Sequence, residues 1–240
     1  MKKTLLLMTA LGALSVSGVK AETLLGWNFA GEHGLNQQVA ANTLGTGILD
    51  SLIAGGPDAP ISDTGSGDGF FSTGWSTDGI ALTDTAYFEF TITADVGYTL
   101  ALSSLNSTTT GDGFFTFNGG GAAFAWAYKA AGQSEFTLLP VIPFSGSAGF
   151  FDVNYDLSAI SSLQNTTEVS FRFYANRSSD SFSSFGKAWG IAGSGSSDTL
   201  TVNGTATTTP VPEPHEWAVL MGLTLGGIVL LRIRRRAMAS

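Results

Sequence analysis

The sequence predicts an all-β fold, an antiparallel β-sandwich of jelly-roll type, and three observations predict it. Apolar and polar residues alternate in short runs, the period of a strand with one buried face. Gly, Ser, Asn and Asp separate the runs, as tight turns require, and glycine alone supplies 31 of the 240 positions. Charged residues make up 12% of the chain against 43% hydrophobic, well below the ~25% charged share of an ordinary domain, and a helical period is almost absent.

The clearest run is residues 86–94, where Phe88, Phe90, Ile92 and Ala94 share one face and Tyr87, Glu89, Thr91 and Thr93 the other. Residues 169–174 repeat the scheme, with Val169, Phe171 and Phe173 inward against Ser170, Arg172 and Tyr174. Further strands are expected over residues 23–29, 99–105, 113–118, 122–129, 135–139, 150–155, 187–191 and 199–206. Residues 36–53 carry no clear period and admit a loop, a strand or one short helix. Residues 205–211 are Thr-rich and end near proline, so an extended linker is expected to follow a sandwich domain over residues 22–204.

The two ends read as transport signals. Residues 1–21 open with Lys2 and Lys3, run apolar from Leu5 to Leu14 and close on Val19-Lys20-Ala21, the order of a secretory signal peptide. Glu22 is then the first mature residue. At the other end no charge occurs from Trp217 to Leu231; as a helix that stretch reaches roughly 22 Å, and Ile233 with snorkelling arginines extends a span over residues 217–233 toward the ~30 Å of a hydrocarbon core. Arg232, Arg234, Arg235 and Arg236 form the stop signal and stay cytoplasmic under the positive-inside rule, which puts residues 22–216 on the far side of the inner membrane.

Pro212, Glu213 and Pro214, followed by a single apolar helix and an arginine cluster, resemble the PEP-CTERM protein-sorting signal of Gram-negative bacteria, here over residues 212–236. The resemblance implies recognition of the Pro-Glu-Pro segment by an exosortase, a membrane-embedded cysteine protease or transpeptidase, and removal of the helix and arginines. The two prolines keep the segment extended and readable. The body, through Leu25-Gly26-Trp27-Asn28-Phe29, the run from Tyr87 to Thr93 and the run from Val169 to Tyr174, resembles a recurrent domain of exported PEP-CTERM proteins. That implies a lectin-like jelly roll with no assigned activity. Members often close on Asp-Asn before the last strand, where this chain has Asp198-Thr199.

Charge and composition exclude several classes. Between residues 22 and 210, Lys129, Arg172, Arg177 and Lys187 stand against 17 acids, a net of −13, which disfavours nucleic acid and anionic lipid surfaces as partners. With no cysteine there is no disulfide, thiolate metal site or cysteine nucleophile. His33 is the body's single histidine and His215 lies beside the sorting motif, too few for a triad or a His-based zinc site. Paired carboxylates stay open, since a glycosidase needs only two acids. But Asp58, Asp63, Asp68, Asp78, Asp84 and Asp95 sit in Gly/Thr/Ser-rich loops, where aspartate forms turns or caps, and the chain is expected not to be an enzyme.

Gly67-Asp68-Gly69-Phe70-Phe71 recurs as Gly111-Asp112-Gly113-Phe114-Phe115. Aspartate between glycines makes a turn that launches a strand; Asp68 and Asp112 are also the candidate oxygen ligands for Ca²⁺, although no D-x-D-x-D-G loop surrounds them. No other cofactor is expected. For a polysaccharide ligand the candidate stacking platform is Trp75, in the loop of residues 72–76; Trp126, Tyr128 and Trp189 are read as core or platform alike. The expected function is that of an exported, non-enzymatic surface or extracellular-matrix protein. Its partners are the secretion machinery and an exosortase, with the membrane before processing; the alternative is a carbohydrate-binding module or polysaccharide-active protein on the same scaffold.

Overall fold

The computed structural model describes residues 21–32, 36–61, 68–111, 122–144, 150–176 and 189–209. In chain order the strands are β1 (Glu22–Trp27), β2 (Gln38–Ala40), β3 (Thr43–Leu44), β4 (Leu52–Gly55), β5 (Gly69–Ser72), β6 (Phe88–Thr93), β7 (Tyr98–Gly111), β8 (Ala122–Ala130), β9 (Thr137–Leu138), β10 (Ile142–Phe144), β11 (Phe151–Asp156), β12 (Gln164–Thr166), β13 (Glu168–Asn176), β14 (Trp189–Ala192) and β15 (Leu200–Thr208). One 3₁₀ turn, Ser161–Leu163, precedes β12.

The strands form two antiparallel sheets. The first runs β3-β1-β15-β7-β14-β5, with β11 and β12 also on β7; the second runs β10-β8-β13-β6-β4-β2, with β9 on β8. The all-β sandwich is as the alternation predicts. Residues 36–53, which show no period, hold β2, β3 and the start of β4, and here the chain passes from one sheet to the other and back. Short segments that change sheets cannot carry a sustained pattern. The strand expected over residues 113–118 lies outside the described residues.

The core is the layer between the sheets. Phe88, Phe90 and Ile92 of β6 and Val169, Phe171 and Phe173 of β13 all face it and are buried. Phe90 sits near its centre, 4.8 Å from the ring of Trp27, 5.3 Å from Phe171 and 5.6 Å from Trp126, tilted, offset contacts that suit aromatic quadrupoles. Two indoles cross the layer: Trp27 of the first sheet donates its Nε1 to the carbonyl of Val39 on the second, and Trp126 of the second donates to Ser107 Oγ on the first, both at 3.1 Å. At Gly204, where the register of β15 on β7 shifts, a Cβ would stand 2.3 Å from the Ala101 carbonyl oxygen. Only glycine lets the two strands close there.

Two expectations are corrected. Ser170 and Tyr174, read as solvent-facing, are buried, because the outer surface of the second sheet is itself partly covered, with Tyr87 packed 6.0 Å from Tyr174. The linker expected over residues 205–211 begins too early. β15 pairs with β7 as far as Thr208 opposite Tyr98, and Thr209 donates to the Gly97 carbonyl from its backbone N at 2.7 Å and its Oγ1 at 3.0 Å. β7 offers this stretch an unpaired ladder edge, and β-branched threonines suit a strand.

Tyr155 on β11 donates its hydroxyl to the Pro140 carbonyl at 3.0 Å. Burial pushes its pKa up from 10.0 to about 12, with the Trp126 backbone pulling the other way. The folded state thus favours the neutral phenol, so this contribution is complete below pH 10 and is lost as the pH rises through about 12. Denaturant titrations of wild type and Tyr155→Phe across that window should show the wild type losing stability faster; parallel curves would remove Tyr155 from the account.

Candidate functional site: a polar trough on the second sheet

β6 sends Tyr87, which immediately precedes it, and Glu89, Thr91 and Thr93 to the outer face of the second sheet, opposite its buried phenylalanines. β4 joins β6 at only two positions, Ala54 to Glu89 and Gly55 to Phe88. Further along, the Ser51 hydroxyl takes the place of the ladder and donates to the Thr91 carbonyl at 2.7 Å. Where the strands part, a trough of about 720 Å³ opens, lined among others by Gln38, Asp50, Leu52, Tyr87, Glu89 and Thr91. Its volume is that of a small-molecule site, and hydroxyl, amide and carboxylate groups recur along it.

One wall is held by a cation packed between rings. The Arg172 guanidinium lies 3.9 Å from the centre of Tyr87 and 4.1 Å from that of Phe136, and its Nε donates to Glu89 Oε2 at 2.5 Å. The register makes this possible, since Arg172 stands directly opposite Glu89 on one side and Ala127 on the other, and the small alanine leaves room for the guanidinium. Burial alone would lower the Arg172 pKa, but the hydrogen bonds and charges of Glu89 and Tyr174 hold it above its ordinary value. Burial raises the Tyr174 pKa, with Arg172 opposing. Glu89 is therefore committed to a structural pair. Tyr87 is committed too: Arg172 covers one part of its ring, and a Cβ on Gly56 would stand 3.0 Å from two of its carbons.

Trp75 is not a platform. It is 2% exposed, its Nε1 donates to the Trp189 carbonyl at 2.9 Å, and its ring meets the edges of Phe88 at 4.9 Å and Phe173 at 5.7 Å. The loop that reads as exposed folds back over the open end of the core because an indole has more apolar area to bury than a loop can leave in water. Trp126, Tyr128 and Trp189 are buried as well. Asp68 is half-buried at the entry to β5, and its backbone carbonyl accepts from Gly193 N at 2.7 Å, a turn-and-edge role. Asp112, His33, Pro212, Glu213, Pro214, Arg232, Arg234, Arg235 and Arg236 lie outside the described residues, as do residues 1–20 and the candidate span 217–233. Among the described residues no helix is long and apolar enough to cross a membrane, and no three His, Cys, Asp or Glu side chains gather as a metal site.

The first sheet presents a different outer face. Thr23 donates to Asn203 Oδ1 at 3.0 Å, Asn203 to Ser104 Oγ at 3.1 Å, and Asn106 to Thr201 Oγ1 at 3.1 Å. A hollow of about 270 Å³ lies among Asn106, Asp152, Asn154 and Asp198. Both carboxylates already accept a threonine hydroxyl at 2.6 Å, Asp152 from Thr108 and Asp198 from Thr43. No family model and no curated protein matches the chain.

Sequence reasoning passed over the trough because its lining residues come from three strands joined only by tertiary register. The usable signal was the polar half of the 86–94 alternation. Arg172→Ala should cost about 1–2 kcal/mol, since it removes packing between two rings and leaves Glu89 half-buried and unpaired. Urea unfolding measures this, and Arg172→Lys should recover only part of the loss because a point charge does not stack as a planar guanidinium does.

Proposed function

We propose that this chain is an exported, non-enzymatic surface or extracellular-matrix protein. In this reading a sandwich of jelly-roll type crosses the inner membrane under the signal peptide of residues 1–21. The span 217–233 and its arginines hold it there, and an exosortase processes it at Pro212, Glu213 and Pro214. The observation that carries the reading is the pairing of the two terminal signals with a body that fits between them. β1 begins at Glu22, directly after the expected signal cleavage, and the last described strand ends at Thr208, ahead of the sorting motif. Cleavage at both ends leaves every described strand intact.

Intact mass and fractionation of the protein from its own host, with and without exosortase activity, test this. The expected product starts at Glu22 and lacks Arg232 to Arg236, and only when the exosortase works. Retention of the arginines in the membrane fraction makes it a stably anchored protein instead.

The trough supports a second reading, in which the body binds a polysaccharide through hydrogen bonds rather than ring stacking. Asp50 and Glu89 line it, and the neighbouring Arg172 guanidinium is already paired, so a neutral glycan fits the charge and a polyuronate does not. Neutral oligosaccharides should bind saturably to the purified body, with or without Ca²⁺, and Thr91→Trp, which fills the trough, should abolish binding. Binding that survives this change places the ligand elsewhere.

A further inference from the structure

The last strand of the sandwich ends a few residues before the Pro212–Pro214 segment. Thr209 is tied to the Gly97 carbonyl through both its backbone N and its hydroxyl, and Pro212 follows three residues later. At no more than 3.3–3.6 Å per residue, at most roughly 10 Å separates the last hydrogen bond from the motif, and at most roughly 28 Å separates it from Trp217 at the start of the expected membrane span. An enzyme seated on Pro212, Glu213 and Pro214 cannot avoid the end of the sandwich that holds Thr209.

That end is defined by the turn joining β6 to β7. Tyr98 N donates to the Asp95 carbonyl at 3.0 Å, and Gly97 takes a φ of 86°, a conformation that favours glycine in a tight turn. Val96, at the tip, is 94% exposed, and Leu49 on the adjoining segment is 45% exposed. Leu49 N donates to Thr93 O, and Asp95 N to Gly47 O, which fixes the two segments side by side. β1 begins toward the same end, because it runs antiparallel to β15 with Glu22 opposite Gly204. Residues 47–50, 94–98 and 165–168 at this end contain Asp50, Asp95 and Glu168 and no lysine or arginine. The turn of residues 130–133, tied to Glu168 through Ala131 N, adds no charge, with Lys129 the nearest cation on β8. Such a surface is repelled by anionic headgroups, so the occupant that matches it is a protein rather than the lipid surface.

We infer that the β6–β7 end of the sandwich, with Val96 and Leu49 at its centre, is a docking face for the membrane-embedded peptidase that reads the Pro212–Pro214 segment. The inference rests on the sorting reading above. It adds that the peptidase recognises the folded body as well as the linear motif, through an apolar surface beside its cleft that meets Val96 and Leu49. Because Val96 lies wholly in solvent, its replacement leaves the fold untouched.

The test follows conversion of the full-length precursor in host membranes for wild type, Val96→Glu, Leu49→Glu, and a chain with about ten Gly/Ser residues inserted between Thr209 and Pro210. Unchanged thermal melts confirm folding of each. Docking predicts that Val96→Glu and Leu49→Glu slow conversion roughly fivefold or more, and that the insertion brings no acceleration. If both substitutions convert at the wild-type rate while the insertion accelerates, the sandwich is merely an obstacle and the docking face is overturned. Wild type that is never converted, even with active exosortase, defeats the sorting reading itself.

Discussion

Two indole N–H groups that cross the apolar layer set how the sheets lie on each other. Burial of aromatic area between the sheets supplies most of the driving force, but it is non-directional and would tolerate sliding. The Trp27 bond to Val39 and the Trp126 bond to Ser107 do not slide. Leaving either donor unpaired in this layer would cost about 1–3 kcal/mol. In a chain with no cysteine, these bonds do the orienting that a disulfide does in many exported domains. They also reach the surface: Trp27 fixes Val39, Val39 fixes three-residue β2, and β2 places Gln38 on the wall of the trough.

The legible part of the sequence was the part governed by neighbours along the chain. Phe88, Phe90 and Ile92 alternate with polar residues, and their strand and buried face follow from that period alone. Tyr174 obeys the same alternation yet is buried, because what covers it comes from a distant segment. Trp75 shows the limit most clearly. Its Gly and Ser neighbours mark a loop, and it is in a loop, but its partners Phe88, Phe173 and Trp189 come from three different strands. The threonines after Gly204 failed for the complementary reason: their composition suits a tether, while the length of β7 decided that they pair.

The two outer faces differ in ways that bear on what each can meet. On the first sheet, Thr23, Asn203 and Ser104 are linked by side-chain hydrogen bonds, and Asn106 is linked to Thr201. Most of these groups are already paired, so an incoming ligand must break existing bonds to form new ones, while Asn106 Oδ1 alone among them is buried without a partner. On the second sheet the ion pair and its flanking rings form a rigid wall, while the separation of β4 from β6 leaves polar groups beside an open volume. Preorganisation with unfilled space favours binding, so the weaker half of the strand ladder is the better site.

Strand order ties this surface to the ends of the chain. β1 and β15 are hydrogen-bonded neighbours inside the first sheet, covered on their outer edges by β3 and β7. Neither is a frayed terminal strand, so chain scission just outside them removes no ladder and exposes no new edge. The proposed cleavage at both ends is compatible with this arrangement, because a cut that removed part of a ladder would weaken the product. The trough lies on the opposite sheet, away from both β1 and β15, and its walls depend on β2, β4, β6 and β13. The walls of the trough therefore do not depend on the chain outside β1 and β15.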